Sequence, residues 1–149
     1  MTYIIRELRA SDRAAWAAMR AALWPEEDAA AHGAAIDTLL RRENAWSFVA
    51  ETAEGQPLGF AEVAIRPYAN GCESQPIAFL EGIWIDAPSR RHGIGRRLID
   101  HVEAFLLAHG FRELGSDTPL DNLASQDAHR SWGFDETERV IYFRRRLRG

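Results

Sequence analysis

Arg90-Arg91-His92-Gly93-Ile94-Gly95 lies between an apolar run, Ile77 to Ile85, and a stretch whose apolar residues recur at helical spacing: Ile94, Leu98, Ile99, Val102, Phe105 and Leu106. The first amides of such a helix have no partner within it and carry its partial positive charge, so the loop is placed to hold an anion. Gly93 and Gly95 carry no side chains that would keep a phosphate from those amides, while Arg91 and Arg96 can add charge-assisted contacts. A pyrophosphate suits this arrangement. A glycine pair equally suits a plain helix start or a tight turn, so both readings stand at this point. Two nucleotide motifs are excluded, because the loop has no P-loop lysine and lacks the third glycine of the dinucleotide fingerprint.

A second set of residues is acidic and aromatic. Glu81 interrupts the apolar run, where a carboxylate is costly unless it is paired or faces a ligand cavity. Asp117 precedes Thr118-Pro119, and capping that turn is its ordinary role. Trp24, Tyr68 and Glu138 have equally ordinary places, the first as a core ring closing a helix and the others as surface residues beside strands. Every basic side chain is Arg, clustered at Arg90, Arg91, Arg96 and Arg97 and in the tail at Arg144, Arg145, Arg146 and Arg148. Acids gather elsewhere, at Glu73, Glu81, Asp117, Asp121, Asp135, Glu136 and Glu138. If folding collects each group, one pole can hold an anion and the other a cation; solvated charge is the alternative.

The formal charge of -4 argues against a general nucleic-acid binder, which needs an excess of basic residues against phosphate. No apolar stretch is long enough to cross a bilayer and the amino terminus lacks the features of a secretory signal, so no membrane partner and a cytoplasmic location are expected. The single cysteine, Cys72, agrees with a reducing compartment and excludes both an internal disulfide and a cysteine-based zinc site. The histidines show no ligand spacing, so no metal is expected.

The elements that must position these residues read as α/β. Residues 1–149, 46% apolar, suit a single domain with a real core. A strand over Tyr3 to Leu8, a helix over Arg13 to Leu23 and a second helix over Glu27 to Arg42 come first. Strands over Trp46 to Glu51 and Leu58 to Arg66, joined through Glu54-Gly55-Gln56-Pro57, form a hairpin with Glu62 facing outward. A buried strand over Ile77 to Ile85, the Arg/Gly loop, and a helix ending at Gly110 follow. A strand over Phe111 to Asp117, a helix over Asp121 to Trp132 and a terminal strand over Glu138 to Leu147 complete the order.

This order, with R-R-x-G-x-G between strand and helix and a later Asn before Gly133-Phe134, resembles the GCN5-related N-acetyltransferase (GNAT) superfamily. The resemblance implies a single GNAT domain, α/β (α+β), with a mixed, mostly antiparallel sheet flanked by helices and splayed central strands. It implies acetyl-coenzyme A as co-substrate, its pyrophosphate held by Arg91, His92, Gly93, Ile94, Gly95 and Arg96. It also implies backbone pairing of the pantetheine arm with Ile83, Trp84 and Ile85, and a contact from Asn122. Asn122 can instead cap the next helix. The place of the family's general-acid tyrosine is taken by His129, which suits either a proton donor or a structural histidine.

Further strings resemble the aminoglycoside 6′-N-acetyltransferases over essentially the whole chain: Leu23-Trp24, Tyr68-Ala69-Asn70-Gly71, Phe79-Leu80-Glu81-Gly82-Ile83, Ser116 to Asn122, and His129 to Glu138 with Val140-Ile141-Tyr142-Phe143. On that resemblance Trp24, Tyr68, Glu81, Asp117 and Glu138 line a pocket for a polycationic sugar. Carboxylates for ammonium groups and flat rings for sugar faces are what such a ligand requires. Direct acetyl transfer is expected, with Glu81 or Asp117 as base, because Cys72 has no motif that would make it an acyl carrier. A homodimer is also expected from relatives. The rival readings are an acetyltransferase for another small amine, a polyamine or a protein amino terminus, and a non-catalytic acyl-coenzyme A sensor.

Overall fold

Glycines in the left-handed region open and close the helix that follows the Arg/Gly loop: Gly93 has φ 78° and Gly110 φ 88°. Between them α3, Ile94–Ala108, buries Ile94, Leu98, Ile99, Val102 and Leu106 on one stripe. The computed structural model describes residues 2–149. Before α3 come β1 (Tyr3–Glu7), α1 (Arg13–Leu23), α2 (Ala29–Arg41), β2 (Ala45–Thr52), β3 (Pro57–Arg66) and β4 (Ile77–Ile85), and after it β5 (Leu114–Gly115) and α4 (Leu123–Ser131). Asp28 starts α2 by accepting the Ala31 N–H at 2.8 Å. No helix among the described residues is long and apolar enough to cross a membrane.

The five strands lie in chain order, antiparallel through β4, with β5 parallel to β4. Phe48, Ala61 and Val63 face α3, whereas Val49 and Phe60 face α1 and α2, so β2 and β3 are covered on both sides. This overturns the outward placement of Glu62. Its carboxylate is 3% exposed because the face it shares with Phe60 lies under α1 rather than in water.

Two further expectations change. The expected strand over Phe111 to Asp117 shrinks to Leu114–Gly115, which pair only with Ala78 and Phe79. The β5-facing edge of β4 from Leu80 onward therefore has no strand partner. The terminal strand over Glu138 to Leu147 is absent: the segment is exposed and irregular, because no neighbouring strand meets its backbone groups. Within the sheet, Glu62 pairs with Gly82 and Val63 with Leu80, so Glu81 is the extra residue of a β-bulge, the device that re-aims a side chain.

Candidate active site

The start of α3 is open. No side chain caps it, and a Cβ built on Gly93 would meet nothing within 4 Å. Arg91, just before it, adopts φ 64°, an uncommon conformation for a non-glycine residue. Arg91 and His92 are exposed and make no hydrogen bond among the described residues. These features suit a coenzyme A pyrophosphate: unpartnered amides, space before them and a free cation. The two neighbouring arginines are engaged elsewhere, Arg90 donating to the Ile85 carbonyl at 2.9 Å and Arg96 to the Ser131 carbonyl at 3.0 Å. Gly95 serves packing as well, since a Cβ there would come within 2.6 Å of Trp132 Nε1.

Beside this cradle runs the unpaired edge of β4 containing Ile83, Trp84 and Ile85, free to meet an extended ligand arm through backbone groups. Asn122 is the N-cap of α4 and accepts the Ser125 N–H at 3.1 Å, so its carbonyl is used within the helix. His129 Nδ1 donates to the Ser125 carbonyl at 2.7 Å, which leaves Nε2 to accept from the Ser116 hydroxyl at 2.7 Å. Its ring N–H is thus committed to a backbone oxygen.

Trp24 and Glu81 lie together at the bulge. Trp24, just beyond α1, lies against Gly82, where a Cβ would be 2.5 Å from its ring. Next to Gly82, Glu81 accepts from Arg66 Nε at 2.8 Å and Nη2 at 2.6 Å, while the guanidinium lies 3.6 Å above the Phe79 ring. The Glu81 hydrogen bond, and then the nearby charges of Glu81 and Asp117, hold the Arg66 pKa above its ordinary value. Asp117 is exposed and makes no hydrogen bond among the described residues. Tyr68, 64% exposed, stands two residues beyond Arg66. The chain returns over this loop: Gly71, φ 81°, leaves room for Thr137, and Glu138 lies alongside.

Cys72 is half-buried between Gly115 and the polar loop; burial first and Glu113 second push its thiol above the ordinary range, away from nucleophilic thiolate. No cluster of three or more His, Cys, Asp or Glu among the described residues is placed to hold a metal ion.

Residues 6–134 match the model of the acetyltransferase (GNAT) family. The chain is also 45% identical over 134 residues to an aminoglycoside N(6′)-acetyltransferase type 1 of Serratia marcescens, spanning 89% of this chain and 92% of the relative. The chain belongs to the GNAT acetyltransferases, in their type 1 aminoglycoside 6′-N-acetyltransferase branch. A Stenotrophomonas maltophilia relative of the same description is 43% identical over 141 residues, 94% of this chain and 91% of its own. Among solved structures, AAC(6′)-Iy in complex with the bisubstrate analog CoA-S-monomethyl-acetylneamine superposes with a TM-score of 0.91 at 38% identity, covering 99% of this chain and all of the other.

Sequence reasoning missed Arg66 and a buried group formed by Arg20, His32 and Glu62. For Arg20 a signal existed: Trp16, Arg20 and Trp24 are spaced by four and so share one helical face with apolar neighbours. Nothing local marks Arg66, whose partner lies on the adjacent strand.

Proposed function

We propose that this chain transfers the acetyl group of acetyl-coenzyme A directly to the 6′-amino group of an aminoglycoside, with residues 1–149 acting as one N-acetyltransferase domain. The observation that carries the reading is Trp24 against Gly82 next to Glu81 at the β4 bulge, with Asp117 near enough to act on Arg66, beside an unpaired strand edge and the open start of α3. Acetyl-coenzyme A supplies an acyl carbon activated as a thioester. Gly93, Ile94 and Gly95 amides with Arg91 and His92 hold its pyrophosphate, and Arg96 adds positive charge from the first turn of α3. The backbone of Ile83, Trp84 and Ile85 guides the arm, and Asn122 touches it through the amide nitrogen that helix capping leaves available.

Asp117 is the base in this reading. It is exposed and makes no hydrogen bond among the described residues, whereas Glu81 is already bound twice by Arg66. Asp117 takes one proton from the substrate ammonium, the freed amine attacks the acyl carbon, and as the carbon–sulfur bond breaks the nitrogen gives its second proton to solvent while the departing thiolate takes one up. A thiol of ordinary pKa, about 8.5, needs no strong acid to leave. A backbone N–H at Ile83 or Ile85 steadies the carbonyl oxygen as it gains charge. Glu81 and Glu138 hold other ammonium groups, and Trp24 and Tyr68 pack on sugar faces.

The assembly in this reading is a homodimer working in the cytoplasm, where acetyl-coenzyme A is available. Ile141, Tyr142 and Phe143 are 71%, 78% and 92% exposed on the isolated chain, an apolar strip that a second subunit would cover. Light scattering should give twice the chain mass.

Asp117→Asn tests the mechanism. We expect kcat to fall about 100-fold or more while acetyl-coenzyme A still binds. Undiminished turnover removes Asp117 from the chemistry.

A further inference from the structure

Beneath Trp24 three polar side chains are shut away from water: Arg20 is 6% exposed, Glu62 3% and His32 0%. Glu62 accepts from Trp16 Nε1 at 2.8 Å and from Arg20 Nη1 at 2.5 Å. Arg20 Nε donates to His32 Nδ1 at 3.3 Å. Because Arg can only donate, this contact uses Nδ1 as acceptor, with the Glu27 carboxylate 3.6 Å from the same nitrogen, and Nε2 donates to the Trp24 carbonyl at 3.1 Å. The Arg20 guanidinium also lies 4.6 Å from the centre of the Trp24 ring. The network therefore reaches Trp24 twice, at its ring and at its backbone.

An ion pair this deeply buried is weak evidence for stability, since apolar side chains of equal volume hold a core at least as well. What it supplies is direction. Trp24 needs it, because α1 ends at Leu23 and the following Pro25 cannot continue the helix. The indole also rests on Gly82, a position whose missing Cβ allows the close approach, and it meets Phe60 in a T-shaped arrangement at a centroid distance of 6.4 Å.

We propose that Arg20, His32 and Glu62 are positioning residues that, with Gly82 as the seat, set the angle of Trp24 as the sugar-stacking wall of the acceptor site and so determine which aminoglycoside rings it accepts. The inference rests on the reading of Trp24 as a pocket residue. It does not involve the acetyl-coenzyme A side of the site.

Two replacements of one residue test it. His32→Asn keeps an acceptor near Nδ1 for Arg20 but is too short to reach the Trp24 carbonyl, while His32→Gln carries its amide to the place of Nε2. With tobramycin varied at saturating acetyl-coenzyme A, His32→Asn should raise the tobramycin KM about tenfold and His32→Gln should restore it to within about twofold, with the acetyl-coenzyme A KM unmoved in both. In a Trp24→Ala background the difference between the two should vanish. Equal tobramycin KM values for the two variants, or a difference that survives in the Trp24→Ala background, would overturn the proposal. An unchanged tobramycin KM in Trp24→Ala alone would instead remove Trp24 from the pocket, and the inference with it. If His32→Asn fails to fold, Gly82→Ala pushes the ring directly, since its Cβ would lie 2.5 Å from it. Its rise in tobramycin KM should disappear with Trp24→Ala, and a rise that persists there, or no rise at all, would count against the proposal.

Discussion

Glu81 and Arg66 form a two-bond ion pair at the β4 bulge, with Arg66 spread over Phe79. The β-bulge makes the pair possible, because a regular strand would leave Glu81 alternating with its neighbours instead of standing out of register. Arg66 occupies the carboxylate as a substrate ammonium would, so in the proposed site an incoming cation would share or displace it. This suits a clamp better than a base.

Glu81→Gln should therefore raise the aminoglycoside KM about fivefold to tenfold and leave kcat within about threefold. Steady-state kinetics with the aminoglycoside varied would check this. A collapse of kcat at unchanged KM would move the proton transfer from Asp117 to Glu81.

Gly95→Ala addresses the other half of the site. The new Cβ would sit 2.6 Å from Trp132 Nε1, forcing the end of α4 away from the start of α3, where the proposed pyrophosphate cradle lies. A cost of about 1–3 kcal/mol in stability is expected. The acetyl-coenzyme A KM should rise at least about tenfold with the aminoglycoside KM nearly unchanged. Thermal melting and kinetics with each substrate varied would check both. An unaltered acetyl-coenzyme A KM would place the pyrophosphate elsewhere.

Arg6 ties the amino-terminal strand down by holding Asp12 at 2.8 Å through two bonds and Glu51 at 2.8 Å. The hydrogen bonds from Arg6 hold the Asp12 carboxyl below its ordinary value of 3.8. A depressed folded-state pKa contributes stability that is present above the unfolded value and is lost as pH falls through the folded one, since the unfolded chain takes the proton first. Asp12→Asn should thus lower Tm near about pH 6, by an amount reflecting about 1 kcal/mol, and the gap from wild type should close below about pH 4. A gap that stays constant down to about pH 2 would contradict this account.

Much of this was legible residue by residue. Ile77–Ile85 has the expected bounds because a fully buried strand is a continuous apolar run. α3 begins after Gly93 and ends before Gly110 because left-handed glycines mark both ends. Glu62 was misplaced for a definite reason: alternation tells which residues share a face, but not whether a second face is covered. Val140 to Phe143 carries a strand pattern without a strand, because pairing needs a neighbour that the chain itself does not provide. Arg66 and His32 carry no local sign because their partners lie 15 and 12 residues away, whereas the four-residue spacing of Trp16 and Arg20 marks Arg20.

The most direct test of the account is the product formed from tobramycin, which offers several amines to one acetyl donor. Thiol release from acetyl-coenzyme A should be rapid with tobramycin and at background with spermidine or a peptide, and NMR of the product should show a single acetyl group on the 6′ nitrogen. No release with tobramycin, or an acetyl group on another nitrogen, would contradict the account.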